Sequence, residues 1–158
     1  MKLLKFCLLF LFVSYFTVAI RSQTEGWKGI VPLSSTRADV ERLIGKPNVN
    51  GFYEFEEARV KILYVEARCS SQVRCDCLAP IGTVKNIRLS LNSEVKPDDL
   101  GLDLTDYERS EDSHLPGVVS YTNYDRGIIY TVQFGLVTII QYVPTRDDCE
   151  RLEKTEAK

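Results

Sequence analysis

Histidine is almost absent from this sequence: His114 is the one histidine among 158 residues. It lies in the segment "EDSHLPG", whose turn-forming residues predict an exposed loop. Ser113 beside it does not complete a catalytic triad, because neighbours in sequence seldom face each other, and the sequence has no G-x-S-x-G motif. A P-loop and a dinucleotide-binding fingerprint are also missing. We therefore expect no enzymatic activity, no catalytic residue and no cofactor.

The carboxylates form no recognisable metal-binding or catalytic motif. They include four adjacent pairs, Glu56-Glu57, Asp98-Asp99, Glu111-Asp112 and Asp147-Asp148. Glycoside hydrolysis needs two opposed carboxylates in a cleft, and none of these pairs fits the D-x-D-x-D-G pattern of a calcium loop. We interpret them as solvated loop charges and predict no metal site. A hydrolase or a metal-dependent enzyme is the least favoured of three functional hypotheses. It would need a cleft in which His114 meets these pairs or the cysteines.

The sequence also lacks an apolar run long enough to cross a bilayer, for which about 20 residues are needed. The longest such run, residues 6–20, has 15 residues and follows a basic start. This pattern is typical of a secretory signal peptide, which we predict over residues 1–22, followed by a single domain over residues 23–158. Cleavage after Ala19 and an uncleaved N-terminal anchor are the alternatives. The expected location is exported, either periplasmic or extracellular.

Positive charge is not in excess, since 20 lysines and arginines face 22 aspartates and glutamates. Removal of the predicted signal peptide takes away three basic residues and no acidic one, which leaves a net charge of about −5. Nucleic-acid binding requires a basic surface, so nucleic acid is not an expected partner. No membrane span is expected once the signal peptide has been cleaved.

Cysteine is scarce, and its spacing suggests disulfides. Four cysteines follow the predicted signal peptide: Cys69, Cys75, Cys77 and Cys149. An even number in an oxidising compartment favours two disulfides, and a bridge between Cys75 and Cys77 would be strained. Two pairings stay open: Cys69–Cys75 with Cys77–Cys149, or Cys69–Cys77 with Cys75–Cys149. The alternative is a four-thiolate zinc site, but the C-x5-C-x-C spacing differs from the paired C-x2-C of structural zinc sites.

The stretch "SSTRADVERLIGKP", residues 34–47, has the pattern of a short docking helix and not of a functional site. Thr36 fits the N-cap, and Asp39 fits the third helical position of a capping box. The apolar residues spaced at i, i+3 and i+4 are Val40, Leu43 and Ile44. Gly45 and Pro47 are residues that typically end a helix. We therefore predict that this helix covers a sheet.

Several segments have the period-two alternation of β-strands. They lie within residues 53–55, 60–64, 82–91, 118–124, 128–134 and 137–143. In the third of them we expect Ile87, Leu89 and Leu91 to point inward, and Arg88 and Ser90 to point outward. Strict alternation predicts an antiparallel sheet with one covered face. The predicted fold class is therefore α+β, with short helices packed on one face of the sheet.

The segments between and after the strands are less regular. After Pro97 we expect a short helical turn, and "LTDYERSED" is a candidate for another. The segment "TRDDCERLEK" near the C-terminus predicts a short helix or a fraying tail. In addition, "YEFEEARVKILYVEARC" and "YTVQFGLVTIIQYVPTRDDC" share an order of strand, turn, strand, aromatic residue and cysteine. This order suggests two αβ pseudo-repeats as one hypothesis.

The helix and the aromatic-rich strands after it resemble those of the SmpA/OmlA family of outer-membrane-assembly lipoproteins and of β-lactamase-inhibitor-protein modules. The residues that carry the resemblance are Thr36, Val40, Leu43, Gly45 and Pro47. The "PLSSTRADVERLIGKP" start also resembles that of small secreted bacterial proteins of unknown function. No lipid-acceptor cysteine follows the signal peptide, which is a departure from the lipoproteins. The resemblance implies a role in binding other proteins through an exposed sheet face.

Aromatic residues are concentrated on the predicted strands. They are Tyr53, Phe55, Tyr64, Tyr121, Tyr124, Tyr130, Phe134 and Tyr142. Tyrosines suit a half-exposed sheet that contacts a partner, but aromatic residues favour strands in any case, and core packing is the explanation that we favour. We expect Trp27 to hold the start of the mature chain against the sheet. The leading hypothesis is a non-enzymatic binding or scaffold protein of the cell envelope with a protein partner. The second hypothesis is an inhibitor of a secreted enzyme, acting through a rigid protruding loop such as the cysteine loop.

Overall fold

One antiparallel sheet organises the part of the chain that the structure describes. The structure is a computed structural model and describes residues 25–67 and 75–156, apart from the side chains of Asp76, Cys77 and Glu156. The predicted signal peptide and residues 68–74 of the cysteine loop lie outside the described residues. The sheet has seven strands and is accompanied by two α-helices, so the predicted α+β class is confirmed.

The strands and helices follow each other in a simple order. They are α1 (Arg37–Ile44), β1 (Tyr53–Glu54), β2 (Ala58–Tyr64), β3 (Val84–Val95), β4 (Glu108–Glu111), β5 (Val118–Asn123), β6 (Ile128–Gln133), β7 (Leu136–Tyr142) and α2 (Arg146–Glu156). Short 3-10 turns occupy Cys75–Leu78, Pro97–Leu100 and Leu104–Asp106. The spatial order is β1-β2-β3-β7-β6-β5-β4, with β3 and β7 paired at the centre.

The start of α1 agrees with the sequence prediction residue by residue. The backbone N–H of Asp39 donates to Thr36 Oγ1 at 3.3 Å, and the backbone N–H of Thr36 donates to Asp39 Oδ2 at 3.0 Å. This reciprocal pair is a capping box, here with aspartate where glutamate is usual. Gly45 follows the helix with φ 83°, a conformation that glycine adopts without strain. Val40 is the fully buried residue of the apolar stripe.

Most of the core lies on one face of the sheet, as the strand alternation predicts. Its first half, beneath α1 and the segment around Trp27, buries Tyr53, Val60, Ile62, Ile87 and Leu89. Its second half buries Tyr107, Ile128, Tyr130, Val132 and Val137 beneath the 3-10 turns of the 97–107 segment. The packing predicted for Trp27 is confirmed, since its side chain is 8% exposed, belongs to the first half of the core and packs edge to face on Phe55.

One strand was not predicted from the sequence. The segment "LTDYERSED" was expected to hold a helical turn, which is confirmed only for Leu104–Asp106. The next residues form β4, an edge strand paired with β5, and all four of its residues are exposed. Its sequence has no apolar alternation because neither of its faces is buried, so the strand signal is missing. A short, charged edge strand of this kind resists pairing with other chains.

The second helix begins like the first. Its start, Thr145–Leu152, has six of eight residues identical to Thr36–Leu43, in the shared pattern T-R-x-D-x-E-R-L. Thr145 Oγ1 accepts from the N–H of Asp148 at 3.1 Å, and the N–H of Thr145 donates to Asp148 Oδ2 at 3.2 Å. The predicted "TRDDCERLEK" segment is therefore a capped helix over the described residues.

The sheet order is consistent with two three-stranded units that meet at β3 and β7. The units are β1-β2-β3 and β5-β6-β7, each a meander of neighbouring antiparallel strands. The two pseudo-repeats suggested by the sequence matched β1 and β2 with β6 and β7. In the sheet order, β1 and β2 correspond instead to β5 and β6. The first unit is preceded by α1. The second unit is preceded by two 3-10 turns and β4, and not by an α-helix.

Candidate functional site

The candidate site is the face of the sheet that the apolar core leaves open. We name it the open face and define it by the side chains that point the same way as Arg88: Glu54, Arg59, Lys61, Ser90, Ile139, Gln141, Ile129, Thr131, Ser120 and Thr122. In the described part of the chain, none of the three buried apolar clusters contains a side chain from this face. The open face is therefore a surface on which a partner has access to the sheet.

Over β5, β6 and β7 the open face has no charged side chain. We call this part the neutral strip, and its residues are Ser120, Thr122, Ile129, Thr131, Ile139 and Gln141, together with Val118, which is on the same side of β5, and Val143, which directly follows β7. All of them are partly exposed. Aliphatic and hydroxyl side chains on a flat sheet offer apolar contact area together with hydrogen-bonding groups. Such a surface suits contact with a protein, since binding interfaces have charge-depleted centres.

Over β2 and β3 the same face is basic. Lys61 and Arg88 are directly opposite each other in the strand register, and Arg59 lies opposite Ser90. We call Arg59, Lys61 and Arg88 the basic cluster. It lines a hollow of about 590 Å³ that also includes Phe52 and Asn92. The centroid of the Phe52 ring lies 5.6 Å from Arg59 Cζ and 5.4 Å from Lys61 Nζ. The ring therefore makes cation–π contacts with two of the three cations.

A second hollow, also of about 590 Å³, lies where the open face meets α2. Ile129 and Val143 contribute apolar surface to it, and Lys85 and Arg146 contribute cations. Asn86 Oδ1 lies in a buried position here and accepts no hydrogen bond from any described residue. A buried acceptor without a donor costs about 1–3 kcal/mol.

A disulfide forms one wall of the second hollow. Cys75 and Cys149 are bonded, with 4.9 Å between their Cα atoms and a separation of 74 positions in the chain. This bond belongs to one of the two predicted pairings, the one that joins Cys69 to Cys77. Cys69 and the side chain of Cys77 lie outside the described residues, so the other bond of that pairing stays a prediction. The sulfurs of Cys75 and Cys149 are shared in the bond and are not thiolate ligands for zinc.

The structure does not bring the titratable residues of the enzyme hypothesis together. His114 is exposed in a loop, where its backbone N–H donates to Asp112 Oδ1 at 2.8 Å. Of the acidic pairs, Asp148 caps α2 and the others are in exposed positions. Among the described residues, no three of the histidine, cysteine, aspartate and glutamate side chains are grouped so that they could hold a metal ion.

Most of the strand aromatics serve the core and not the open face. Tyr53 and Tyr130 are buried, and Tyr142 packs against both halves of the core. Burial raises the pKa of Tyr130 and that of Tyr142 above the ordinary tyrosine value, because the phenolate loses its hydration there. For these three side chains the favoured interpretation, core packing, is confirmed, and the alternative of a partner-binding surface is wrong.

Phe134 is the aromatic exception. It lies in the tight turn between β6 and β7, and the residue is 80% exposed. Its φ is 50°, a left-handed conformation that bulky residues rarely adopt. The following Gly135 has φ 80°, so both turn residues have positive φ, for which Asn-Gly is the preferred pair. An exposed aromatic residue is therefore held at a hairpin tip in an unfavourable backbone conformation.

Sequence reasoning found the outward direction of Arg88 but missed the basic cluster and the neutral strip. The alternation within one strand tells which residues share a face, but the grouping across strands depends on register. The β2–β3 register brings Lys61 opposite Arg88, and the β6–β7 register brings Ile129 opposite Gln141. No signal in a single strand contains this information.

No protein-family model matches the chain, and comparison with curated proteins gives no significant match. Among solved structures, the chain is similar to a DUF4309 family protein, YjgB from Bacillus subtilis subsp. subtilis str. 168, with a TM-score of 0.47 and 14% sequence identity. The similarity covers 72% of this chain and 81% of that chain. Within the described residues, no helix combines the length and the apolar character that a membrane crossing requires.

Proposed function

We propose that this protein is an exported, non-enzymatic binding module that contacts a protein partner through the open face of its sheet. One observation carries the proposal: the sheet is covered on one face, and the other face presents the neutral strip beside the basic cluster. A chain that needed only stability would gain from burying Ile129, Ile139 and Val143, because burial of aliphatic side chains is favourable. Their partial exposure in one contiguous patch is typical of an interaction surface.

Two further features support the location and the kind of partner. Disulfides persist in oxidising compartments, so the Cys75–Cys149 bond supports the predicted export. The exposed positions of His114 and of most acidic pairs support a binding role over catalysis. The expectation of an SmpA/OmlA-like scaffold at the cell envelope is part of this proposal and rests on the helix pattern of residues 36–47.

Photo-crosslinking in the native cells tests the proposal even though the partner is unidentified. A photoreactive phenylalanine derivative is introduced at Thr131 in the neutral strip and, as a matched control, at Glu41 on the exposed side of α1. We expect one discrete adduct from Thr131 and none from Glu41. The Thr122→Lys substitution should abolish the adduct, because it adds a charge to the neutral strip. The absence of a discrete adduct from Thr131, or equal adducts from both positions, would contradict the proposal.

The alternative function, an inhibitor of a secreted enzyme, is favoured by Phe134. A rigid turn that projects an aromatic side chain is the geometry with which an inhibitor fills a substrate pocket. The same crosslinking experiment separates the two functions, because the photoreactive residue closely resembles phenylalanine and replaces Phe134 with little change. Adducts from position 134 without adducts from Thr131 would favour the inhibitor. The cysteine loop, which was the first candidate for an inhibitory loop, stays a prediction because residues 68–74 lie outside the described residues.

A further inference from the structure

We propose that the basic cluster of Arg59, Lys61 and Arg88 binds the carboxylates of an acidic segment in the partner protein. The inference rests on the proposed function and adds the chemistry of the partner at the same face. The acidic segment would lie over β2 and β3, and the chain next to it would cover the neutral strip on β7, β6 and β5.

The strongest observation is the cross-strand pair of Lys61 and Arg88. Like charges directly opposite each other on one face of a sheet are destabilising. Among the described residues, the side chain of Arg88 makes no ion pair or hydrogen bond, and the one partner of the Lys61 ammonium is the Phe52 ring. Two adjacent cations that make no ion pair with a described residue form an anion site that the described part of the chain does not fill.

The third cation of the cluster shows which anion fits. Arg59 Nε donates to the carboxylate of Glu54, with distances of 3.0 Å to Oε1 and 3.3 Å to Oε2. One cation of the cluster therefore already binds a carboxylate in this arrangement. Asn92 is fixed at another side of the hollow, because its Nδ2 donates to the backbone oxygens of Phe55 and Glu56. The hollow has about 590 Å³ available, which is enough for the acidic side chains of an extended peptide.

The charge of the rest of the chain argues for a local, protein-type site over a membrane surface. The chain has a formal net charge of −2, so the basic cluster is not a consequence of a basic composition. Segments that bind anionic lipid typically contain clusters of 4–8 lysines and arginines, more than the three cations found here. The uncharged strip next to the cluster also offers the flat contact area that a polypeptide requires.

Fluorescence anisotropy with the purified, oxidised protein tests the inference. The probe is a labelled deca-glutamate peptide, and deca-glutamine and deca-lysine peptides are the controls. We expect deca-glutamate to bind in low salt and the Lys61→Gln/Arg88→Gln variant to bind it at least about tenfold more weakly. The matched control variant is Lys46→Gln/Lys154→Gln, which removes the same charge from exposed positions elsewhere and should bind like the parent protein.

Three outcomes would overturn the inference. They are no binding of deca-glutamate, equal losses in the two double variants, and binding to phosphatidylglycerol vesicles in place of the peptide. The crosslinking experiment keeps this inference separate from the proposed function. If the adduct from Thr131 persists unchanged in the Lys61→Gln/Arg88→Gln variant, the acidic-segment inference fails while the proposed function stands. If no adduct forms from Thr131 in the parent protein, the proposed function itself fails.

Discussion

Val40 and Cys149 occupy the same position in two copies of one helix start, T-R-x-D-x-E-R-L, but each anchors its helix by different chemistry. Val40 is fully buried in the core on the covered face of the sheet. Cys149 instead bonds to Cys75 in a 3-10 turn, and Leu152 packs beside that turn. The same capped octapeptide is therefore held once by apolar packing and once by a covalent bond.

Removal of the disulfide should lower the free energy of unfolding. The bond closes a loop of 74 residues, and the chain-entropy treatment values such a loop at about 4 kcal/mol. We expect Cys75→Ser/Cys149→Ser to lose about 2–4 kcal/mol relative to the oxidised parent protein in urea unfolding. Peptide mapping of the oxidised parent should recover the Cys75–Cys149 linkage. An unfolding free energy equal to that of the parent, or a linkage from Cys149 to Cys77, would contradict the structure.

Substitution of Val40 should destabilise the protein more than substitution of its helical neighbour Leu43. Val40 is 0% exposed, so Val40→Ala removes buried methyl groups and leaves a small cavity, at a cost of about 2 kcal/mol. Leu43 is 41% exposed, and Leu43→Ala should cost less than about 1 kcal/mol. The two variants are compared by chemical denaturation. Equal costs would show that α1 does not dock through Val40.

The capping box of α1 should make stability depend on acid pH. Hydrogen bonds from the backbone and side chain of Thr36, and one from Arg42, lower the pKa of Asp39 from 3.8 to about 2. Because the pKa is lower in the folded protein than in the unfolded chain, this contribution is present above about pH 4 and is lost as the pH falls towards about 2.

An Asp39→Asn variant makes this dependence measurable. The parent protein should be the more stable of the two near neutral pH, and the difference should shrink as the pH falls through that window, in urea unfolding at matched temperature. A difference that stays constant would show that the pKa of Asp39 is the same in the folded and unfolded protein, and a difference that grows on acidification would show that folding raises it.

Charge reversal in the basic cluster should stabilise the sheet. Arg88→Glu places a carboxylate opposite Lys61 and replaces a repulsive cross-strand pair by an attractive one, worth about 0.2–1 kcal/mol. Arg88→Gln removes the repulsion without adding attraction and should give a smaller gain. Thermal unfolding at low ionic strength measures both. A loss of stability in both variants would mean that Arg88 has a structural role in the sheet.

Relief of the positive φ at the β6–β7 turn should also stabilise the protein. Phe134→Asn creates an Asn-Gly pair at two positions with positive φ and should raise the free energy of unfolding by about 1 kcal/mol. Phe134→Leu is the matched control, because it removes the ring and keeps a residue unsuited to positive φ. A gain with asparagine and none with leucine would show that the native phenylalanine is retained at a cost to stability. Equal gains in unfolding free energy for the two variants would mean that the gain comes from removal of the exposed ring and not from relief of the positive φ.

Local signals in the sequence were sufficient for much of the fold. The capping box at Thr36, the stop at Gly45 and the alternation in β2, β3, β5, β6 and β7 are each contained within about ten residues. The helix repeat at Thr145 is also present in the sequence, but eight residues are fewer than the roughly 20–50 of a structural repeat, so the repeat alone does not predict a second capped helix. The edge strand β4 escaped prediction because none of its four residues is buried.

The sequence by itself determined the α+β class, the start and the end of α1 and the inward and outward sides of most strands, and it limited the disulfides to two possible pairings. Tertiary structure alone decided that β7 pairs with β3, that Cys149 bonds to Cys75, and that Lys61 and Arg88 face each other. The physical reason is the sequence distance over which each interaction acts. Capping and alternation act between residues a few positions apart, whereas register and pairing depend on which surfaces of a whole sheet bury one another. The candidate site is a property of that register, so it became visible only in the folded sheet.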